Sequence, residues 1–221
     1  MRLIEAGANH RISSSQFGFR PKRGTEDALH CARRAVDVAW AHRDGKVHLL
    51  ALDWRKAFDS INAEGLIDAL RRFGIPQFFL EIVKSIYSDR AFRVKDGDTT
   101  SDRRRQHSGI CQGCPLSPFL FIMVMTILMH DAYGMLGAHS SRAVERSSLY
   151  DILYADDTLV VGADAKCVEE LAVAIEKSGA RYGMSLHWGK VQAMPVRTDA
   201  KLHQANGDEM QRCDSIIYLG T

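Results

Sequence analysis

Residues 149–161 read LYDILYADDTLVV. Strand-like apolar runs, 149–153 and 158–161, flank the four residues YADD, and this pattern predicts a β-hairpin with Asp156 and Asp157 at its tip. Adjacent carboxylates repel each other and are costly to bury unless a cation neutralises them. A magnesium ion prefers oxygen ligands and usually takes one or two carboxylates from the protein. The pattern favours a divalent-metal site, although the four residues alone more often mark a solvated turn.

A second acid follows another apolar run. Residues 47–52 are nearly all apolar, which is typical of a strand that is buried on both faces, and Asp53 comes directly after them. If the two strands are neighbours in one sheet, Asp53 and Asp156 lie side by side. Acids in this arrangement can hold two metal ions about 3.5–4 Å apart, which activate an attacking hydroxyl and stabilise the leaving oxygen in phosphoryl transfer.

The composition is that of a globular protein. The 221 residues are 46% hydrophobic and 25% charged, and the net charge of +2 does not by itself indicate a nucleic-acid partner. Arginine and lysine are nevertheless gathered in local clusters, which suit a phosphate backbone or simply form solvated faces. Five scattered cysteines and no recognisable secretory leader predict an intracellular, reduced protein. The longest apolar run, 119–129, is too short to span a bilayer and predicts a buried helix.

Alternating helical and strand patterns predict one α+β unit. We expect helices from Thr25 to about 43, from the Asn62 cap to about 73 and from Pro76 to about 88. Ser117 is predicted to cap an apolar helix that has Pro118 in its first turn, and an amphipathic helix is predicted before Gly183. The predicted strands and turns, besides those already described, are a hairpin over 91–105 that turns at residues 96–97, and short strands at 184–187, 191–196 and 216–219.

Six motifs in order resemble those of reverse transcriptases, and most closely those of non-LTR (LINE-like) retrotransposons. They are residues 16–29, 50–61 (LALDWRKAFDSI), 109–118 (GICQGCPLSP), 154–157 (YADD), 183–190 and 217–220 (IYLG). The resemblance implies an α+β right-hand polymerase palm with partial fingers, in which a central antiparallel sheet packs on helices. It implies fingers over about 1–45 and 75–110 and palm over about 46–74 and 111–221. We expect the thumb, the front strands of the fingers and any endonuclease or RNase H segment to be absent.

The resemblance implies an RNA-directed DNA polymerase that binds an RNA template, a DNA primer and deoxynucleoside triphosphates. Asp53 and Asp156 would hold two Mg²⁺ ions, or Mn²⁺, and Asp157 would assist at the primer end. Lys190 matches a lysine that is proposed to protonate the departing pyrophosphate, and a plain surface lysine is the alternative. Phe58 matches the steric gate that excludes a 2′-hydroxyl, where the alternative is a core aromatic.

Further residues match substrate-binding motifs of the family. Gln112 and Gly113 match the nucleotide-binding loop, in which Cys111 stands where relatives often carry arginine. Arg20, with Arg23 and Lys22 as weaker candidates, matches the segment that grips the triphosphate, because guanidinium binds phosphate oxygens in a bidentate fashion. Tyr218 and Gly220 match the primer-grip hairpin and are expected to bind the primer.

Two other functions compete with the polymerase. An inactive nucleic-acid-binding remnant of a mobile element accounts for truncation at both ends but gives no reason for intact Asp53, Asp156 and Phe58. A nucleotide cyclase also uses two acids and two metals but leaves the 109–118 loop and Phe58 unexplained. We expect no membrane partner, a nuclear location would suit a retroelement, and the sequence leaves the oligomeric state open.

Overall fold

The computed structural model describes residues 7–111 and 113–220. The helices are α1 (Ala8–Arg11), α2 (Thr25–Ala41), α3 (Ala57–Ser60), α4 (Ala63–Phe73), α5 (Gln77–Tyr87), α6 (Ser117–Gly134), α7 (Ala138–Glu145) and α8 (Ala165–Arg181). The strands are β1 (Val47–Leu52), β2 (Ala91–Phe92), β3 (Lys95–Asp96), β4 (Thr99–Thr100), β5 (Arg104–Arg105), β6 (Leu149–Tyr154), β7 (Asp157–Gly162) and β8 (Gln192–Val196). A short 3₁₀ helix, Trp188–Lys190, precedes β8.

The main sheet is antiparallel with the strand order β6-β7-β1-β8. The predicted hairpin is confirmed, because β6 and β7 pair from Leu149 with Gly162 to Tyr154 with Asp157. The apolar run that precedes Asp53 forms β1, which lies between β7 and β8 and pairs Leu52 with Thr158. The two strands that deliver the acids are therefore neighbours, which meets the condition under which the sequence places Asp53 beside Asp156.

Both faces of this sheet are covered by helices. Along β1, Leu50 and Leu52 belong to the larger apolar core, which includes residues of α4, α6 and α8. The alternate residues Val47 and Leu49 belong to a second core under α2. Helix α2 buries a stripe of small residues there, Ala28, Ala32, Ala35 and Ala39. Small side chains let this helix lie close to the sheet, and β1 is mostly apolar because both of its faces are covered.

Helix α6 is the apolar element at the centre of the larger core. Within the described part of the chain, it is the one helix that is long and apolar enough to cross a membrane. Its residues Phe121, Val124 and Leu128 are fully buried, and it packs against α4 and α8. The prediction of a buried helix is confirmed. Pro118 lies in its first turn, but Ser117 is not the cap: Leu116 holds that position, and the Ser117 hydroxyl donates to the Cys111 carbonyl at 2.5 Å.

Some local predictions were wrong. Residues 184–187 form only an isolated bridge between Trp54 and Leu186, and 216–219 form no strand. The turn of the 91–105 hairpin lies at residues 97–98, one position later than expected, and the pairing there is split into two short ladders. The polar helix α7 was not predicted because its sequence lacks a long apolar stripe.

Candidate active site

Three carboxylates meet at one end of the sheet. Asp53 follows β1, and the register that pairs Leu52 with Thr158 sets Asp53 opposite Asp157 at the start of β7. Asp53 and Asp157 line one cleft together with Lys190, whose Nζ lies 4.0 Å from Asp53 Oδ2. Asp156 occupies the adjacent turn position and is electrostatically coupled to both other acids. The structure thus brings together the four residues that the sequence predicts to be catalytic.

The acids destabilise one another's charged state. Partial burial raises the pKa of Asp156, and the nearby Asp53 carboxylate raises it further. Burial also raises the pKa of Asp157, with added repulsion from Asp156 and Asp53. Carboxylate oxygens in this arrangement suit a hard divalent cation, which would offset the repulsion. The donor set therefore fits a metal of the Mg²⁺ class held by Asp53, Asp156 and Asp157.

The hairpin tip is held by hydrogen bonds from two directions. Thr158 Oγ1 donates to the Asp156 carbonyl at 3.1 Å and accepts from Trp54 Nε1 at 3.1 Å, which links the ends of β1 and β7. Ala155 adopts a left-handed backbone with φ of 56° and bonds the buried side chain of Gln16. Sequence reasoning placed Gln16 at the start of the first motif but assigned it no role. Its position in that motif was the one available signal.

Phe58 lies beside the predicted nucleotide-binding loop. Its ring is partly exposed and stacks on the buried ring of Phe121, with centroids 4.1 Å apart and planes at 13°. The Phe58 carbonyl accepts a hydrogen bond from Ile110 N at 2.7 Å, which fixes the start of the 109–118 loop next to the ring. Gly113 has a φ of 85°, a conformation that favours glycine. Gln112 lies outside the described residues.

The family of this chain is identified by a family model that matches its sequence. The family model described as "Reverse transcriptase (RNA-dependent DNA polymerase)" matches residues 1–221. The chain belongs to the reverse transcriptase family. Members of this family use divalent metal ions and bind a nucleic-acid template, which agrees with the carboxylate cluster of this reverse transcriptase domain.

Curated relatives come from non-LTR retrotransposons, which confirms the predicted group. The Pol polyprotein of the type-2 retrotransposable element R2DM of Drosophila melanogaster is 31% identical over 177 residues, covering 75% of this chain and 16% of the relative. The RNA-directed DNA polymerase from mobile element jockey of Drosophila funebris is 25% identical over 223 residues, covering 99% of this chain and 24% of the relative. The chain therefore spans a minor part of these relatives.

Solved structures share the fold at low sequence identity. Apo telomerase from Candida tropicalis, truncated from its C-terminal domain, superimposes with a TM-score of 0.68 and 11% identity. The match covers 90% of this chain and 40% of that one. Telomerase from Candida albicans, in complex with a fragment of telomeric RNA, gives a TM-score of 0.64 and 16% identity over 90% of this chain and 33% of that one. The predicted α+β right-hand polymerase fold is confirmed.

The predicted triphosphate-gripping arginines of this reverse transcriptase domain bind their own loop. Arg20 donates through Nη1 to the carbonyls of Ser13 at 2.7 Å and Gln16 at 3.2 Å, and through Nε and Nη2 to Asn9. The Arg23 guanidinium donates to the carbonyls of Ser14 and Gln16 and lies over the ring of Phe17. Both side chains therefore shape the segment that carries Gln16, and their contact with triphosphate stays a prediction.

The two predicted primer-binding residues lie at the described C-terminal end. Tyr218 packs with Leu49 and Val161 in the core under α2, and its hydroxyl donates to the Ile152 carbonyl at 3.3 Å. Burial raises its pKa. The residue also lines the cleft of Asp53 and Asp157, and Gly220 follows with a φ of 81°. Their role at a primer stays a prediction.

Another group of potential metal ligands lies away from the carboxylates. His139, Asp164 and Cys167 offer ligand atoms within 4.8 Å of one another. Asp164 is already the N-cap of α8 and accepts from the backbone N–H groups of Lys166 and Cys167. His139 Nε2 lies 3.5 Å from Asp164 Oδ2. Helix capping and a surface ion pair account for this geometry, and we assign no metal to it.

Proposed function

We propose that this domain is an RNA-directed DNA polymerase that transfers a nucleotide from a deoxynucleoside triphosphate to the 3′-hydroxyl of a primer on an RNA template. The convergence of Asp53 with the Asp156–Asp157 turn in a chain of the reverse transcriptase family carries this proposal. We assign the fingers to about 1–45 and 75–110 and the palm to about 46–74 and 111–221. Because a retroelement needs access to the nucleus, we propose a nuclear site of action for this domain.

The three acids would hold two Mg²⁺ ions, for which Mn²⁺ could substitute. Asp53 and Asp156 would hold these ions, and Asp157 would assist near the primer end. When bound, the ions lower the pKa of the attacking hydroxyl and neutralise charge on the transferred phosphoryl group. Lys190 lies on the Asp53 side of the cleft, and its ammonium would give a proton to the departing pyrophosphate.

Several residues around the cleft would position the substrates. The Phe58 ring, fixed on Phe121, would leave no room for a 2′-hydroxyl on the incoming sugar. Gln112 and Gly113 would contact the sugar and triphosphate from the loop that starts beside Phe58. Arg20, Arg23 and the exposed Lys22 would present positive charge to the triphosphate from the loop that they shape. Tyr218 and Gly220 would lie along the primer.

Primer extension tests the proposed function directly. The chain is incubated with poly(rA)/oligo(dT), labelled dTTP and Mg²⁺ at low salt, and is compared with Asp156→Asn. Asp37→Asn makes the same chemical change at an exposed position on α2 and serves as the matched control. We expect wild type and Asp37→Asn to extend the primer, and Asp156→Asn to lose at least about a hundredfold in rate because a metal-stabilised transition state is lost.

Two results would overturn this proposal. Equal extension by wild type and Asp156→Asn would show that the Asp156 carboxylate does not take part in catalysis. A folded wild-type chain that binds the primer–template in a salt-dependent manner but does not extend it would be the nucleic-acid-binding remnant instead.

A further inference from the structure

Gln16 is fully buried and makes hydrogen bonds to the backbone of the YADD turn. Its Nε2 donates to the Ala155 carbonyl at 3.2 Å, and its Oε1 accepts from the Ala155 N–H at 2.9 Å. The same Oε1 accepts from the Gly18 N–H at 2.9 Å. A side-chain amide offers a donor and an acceptor side by side without carrying charge, so glutamine matches both polar groups of one peptide residue.

The backbone N–H and C=O groups of Ala155 require hydrogen-bonding partners inside the protein. Ala155 is 7% exposed, so its N–H and C=O groups are largely withdrawn from water. It is also the first turn residue of a two-residue hairpin, with φ of 56°, a position that glycine usually occupies. A non-glycine residue in the left-handed region is strained, and surrounding contacts must impose that conformation. The Gln16 amide supplies contacts of this kind at both ends of the residue.

The segment around Gln16 is itself docked on the sheet. Leu153 N donates to the Ser15 carbonyl at 2.9 Å, and Phe17 N donates to the Leu153 carbonyl at 2.8 Å, so residues 15–17 run along the outer edge of β6. Gly18 approaches so closely that an added Cβ would lie 2.4 Å from Ala155 N. Arg20 fastens the same segment through the Ser13 and Gln16 carbonyls. The segment 15–18 is thus fixed against β6 and the YADD turn, and Gln16 is held in place by the backbone on which it stands.

We propose that Gln16 is a positioning residue that sets the backbone of the YADD turn, so that Asp156 and Asp157 face Asp53 and bind a divalent cation with it. Gln16 acts through Ala155, the residue that immediately precedes both turn acids, and does not touch the metal itself. The catalytic consequence rests on the proposed function, whereas the effect on metal binding does not require polymerase activity.

Two variants test this role. Gln16→Met keeps the length of the side chain and removes both hydrogen-bonding groups. Gln16→Glu keeps the acceptor for Ala155 N but, when ionised, offers no donor to the Ala155 carbonyl. Ser178→Ala is the matched control, because Ser178 is also fully buried and its hydroxyl donates to the Leu128 carbonyl at 2.7 Å, between α8 and α6. Each protein is measured for Mn²⁺ binding by electron paramagnetic resonance, for amide hydrogen exchange and for thermal unfolding.

We expect Gln16→Met to bind Mn²⁺ about tenfold more weakly than wild type and to exchange the amides of residues 149–162 faster, since two hydrogen bonds to the turn are lost. Gln16→Glu, measured at a pH at which its carboxyl group is ionised, should change both quantities in the same direction, and this variant tests the inference if Gln16→Met does not fold. Ser178→Ala should lower the melting temperature and leave Mn²⁺ affinity unchanged. This contrast separates a positioning role from a general loss of stability.

Wild-type Mn²⁺ affinity in the folded Gln16 variants would overturn the inference, and so would an equal loss of affinity in Ser178→Ala. Failure of the wild type to bind Mn²⁺ would overturn it as well. If the wild type binds Mn²⁺, the Gln16 variants bind it weakly and no protein extends a primer, the proposed function fails while the positioning role stands.

Discussion

At the scale of single residues, Phe58 is the residue that we propose to select the sugar of the incoming nucleotide. Its ring stacks on Phe121 and meets Phe19 edge-on at 6.5 Å, so its orientation is fixed before a nucleotide arrives. Replacement by alanine removes the ring that would collide with a 2′-hydroxyl. We expect Phe58→Ala to reduce discrimination between dTTP and UTP by at least about tenfold, the range that shape-based selection supplies.

The measurement is the ratio of kcat/KM for single incorporation of dTTP and UTP. Phe58→Tyr keeps an aromatic ring and should retain most of the discrimination. If Phe58→Ala lowers the melting temperature but leaves the ratio unchanged, Phe58 is a core aromatic and not the gate.

Asp151 is a buried acid outside the candidate metal site. It lies in β6, and the Tyr133 hydroxyl of α6 donates to it. Burial raises the pKa of Asp151, although the hydrogen bond from Tyr133 opposes the shift. A raised pKa means that the folded state binds more protons than the unfolded chain above a pH of about 4, so the free energy of unfolding falls as the pH rises from there through the folded-state pKa.

Asp151→Asn should remove this loss, because the amide has the same shape and accepts from Tyr133 without carrying charge. We expect the stability of the variant relative to wild type to increase from pH 5 to pH 8, measured by urea denaturation. A difference that is constant over this range would show that Asp151 does not titrate with folding.

At the scale of elements, Asp131 joins three helices. Its carboxylate lies in α6 and accepts from Arg72 of α4 at 2.7 Å and from the Tyr182 hydroxyl, which follows α8, at 2.9 Å. Its side chain is 7% exposed. The hydrogen bond from Arg72 lowers the pKa of Asp131 to about 2. An acid with a depressed pKa stabilises the fold above its unfolded pKa of about 4, and this contribution is lost as the pH falls towards 2.

We therefore expect Asp131→Asn to cost about 2 kcal/mol at pH 7, the usual range for hydrogen bonds to a buried charge. The cost should shrink between pH 4 and pH 2, as followed by urea denaturation. Asp68→Asn breaks only the exposed pair with Arg71 and should change stability by less than about 0.5 kcal/mol. Similar costs for both variants at pH 7 would contradict a helix-joining role for Asp131.

Elements were predictable where the sequence contains a complete local signal. The run before Asp53 is apolar on both strand faces, and Asn62 and Gly74 mark the two ends of α4, so these elements formed as expected. Ser117 carries an N-cap signal, but its hydroxyl is taken by the Cys111 carbonyl, and the helix begins one residue earlier than that cap implies. Residues 216–219 contain β-favouring types, yet form no strand beside the sheet.

At the scale of the whole molecule, the order of the motifs predicts the polymerase fold. It also predicts that Asp53, Asp156 and Asp157 lie together in one site. The contact between Gln16 and Ala155 was beyond sequence reasoning, because it joins a side chain to a backbone across 139 positions. Backbone acceptors are common to all residues, so nothing in the local sequence shows which of them a buried glutamine will bind. The same holds for Arg20, whose donors could serve a phosphate or a carbonyl equally well.

The central claim is that Asp53 and Asp156, which are far apart in sequence, act as one metal site. A double-mutant cycle of Mn²⁺ affinity tests it, with wild type, Asp53→Asn, Asp156→Asn and the double variant measured by electron paramagnetic resonance and Asp37→Asn as control. We predict that each single variant binds at least about tenfold more weakly and that the double variant binds little more weakly than either single one, because one missing ligand already disables the shared site. Unchanged affinity in Asp53→Asn, or losses that multiply as for independent sites, would contradict the account.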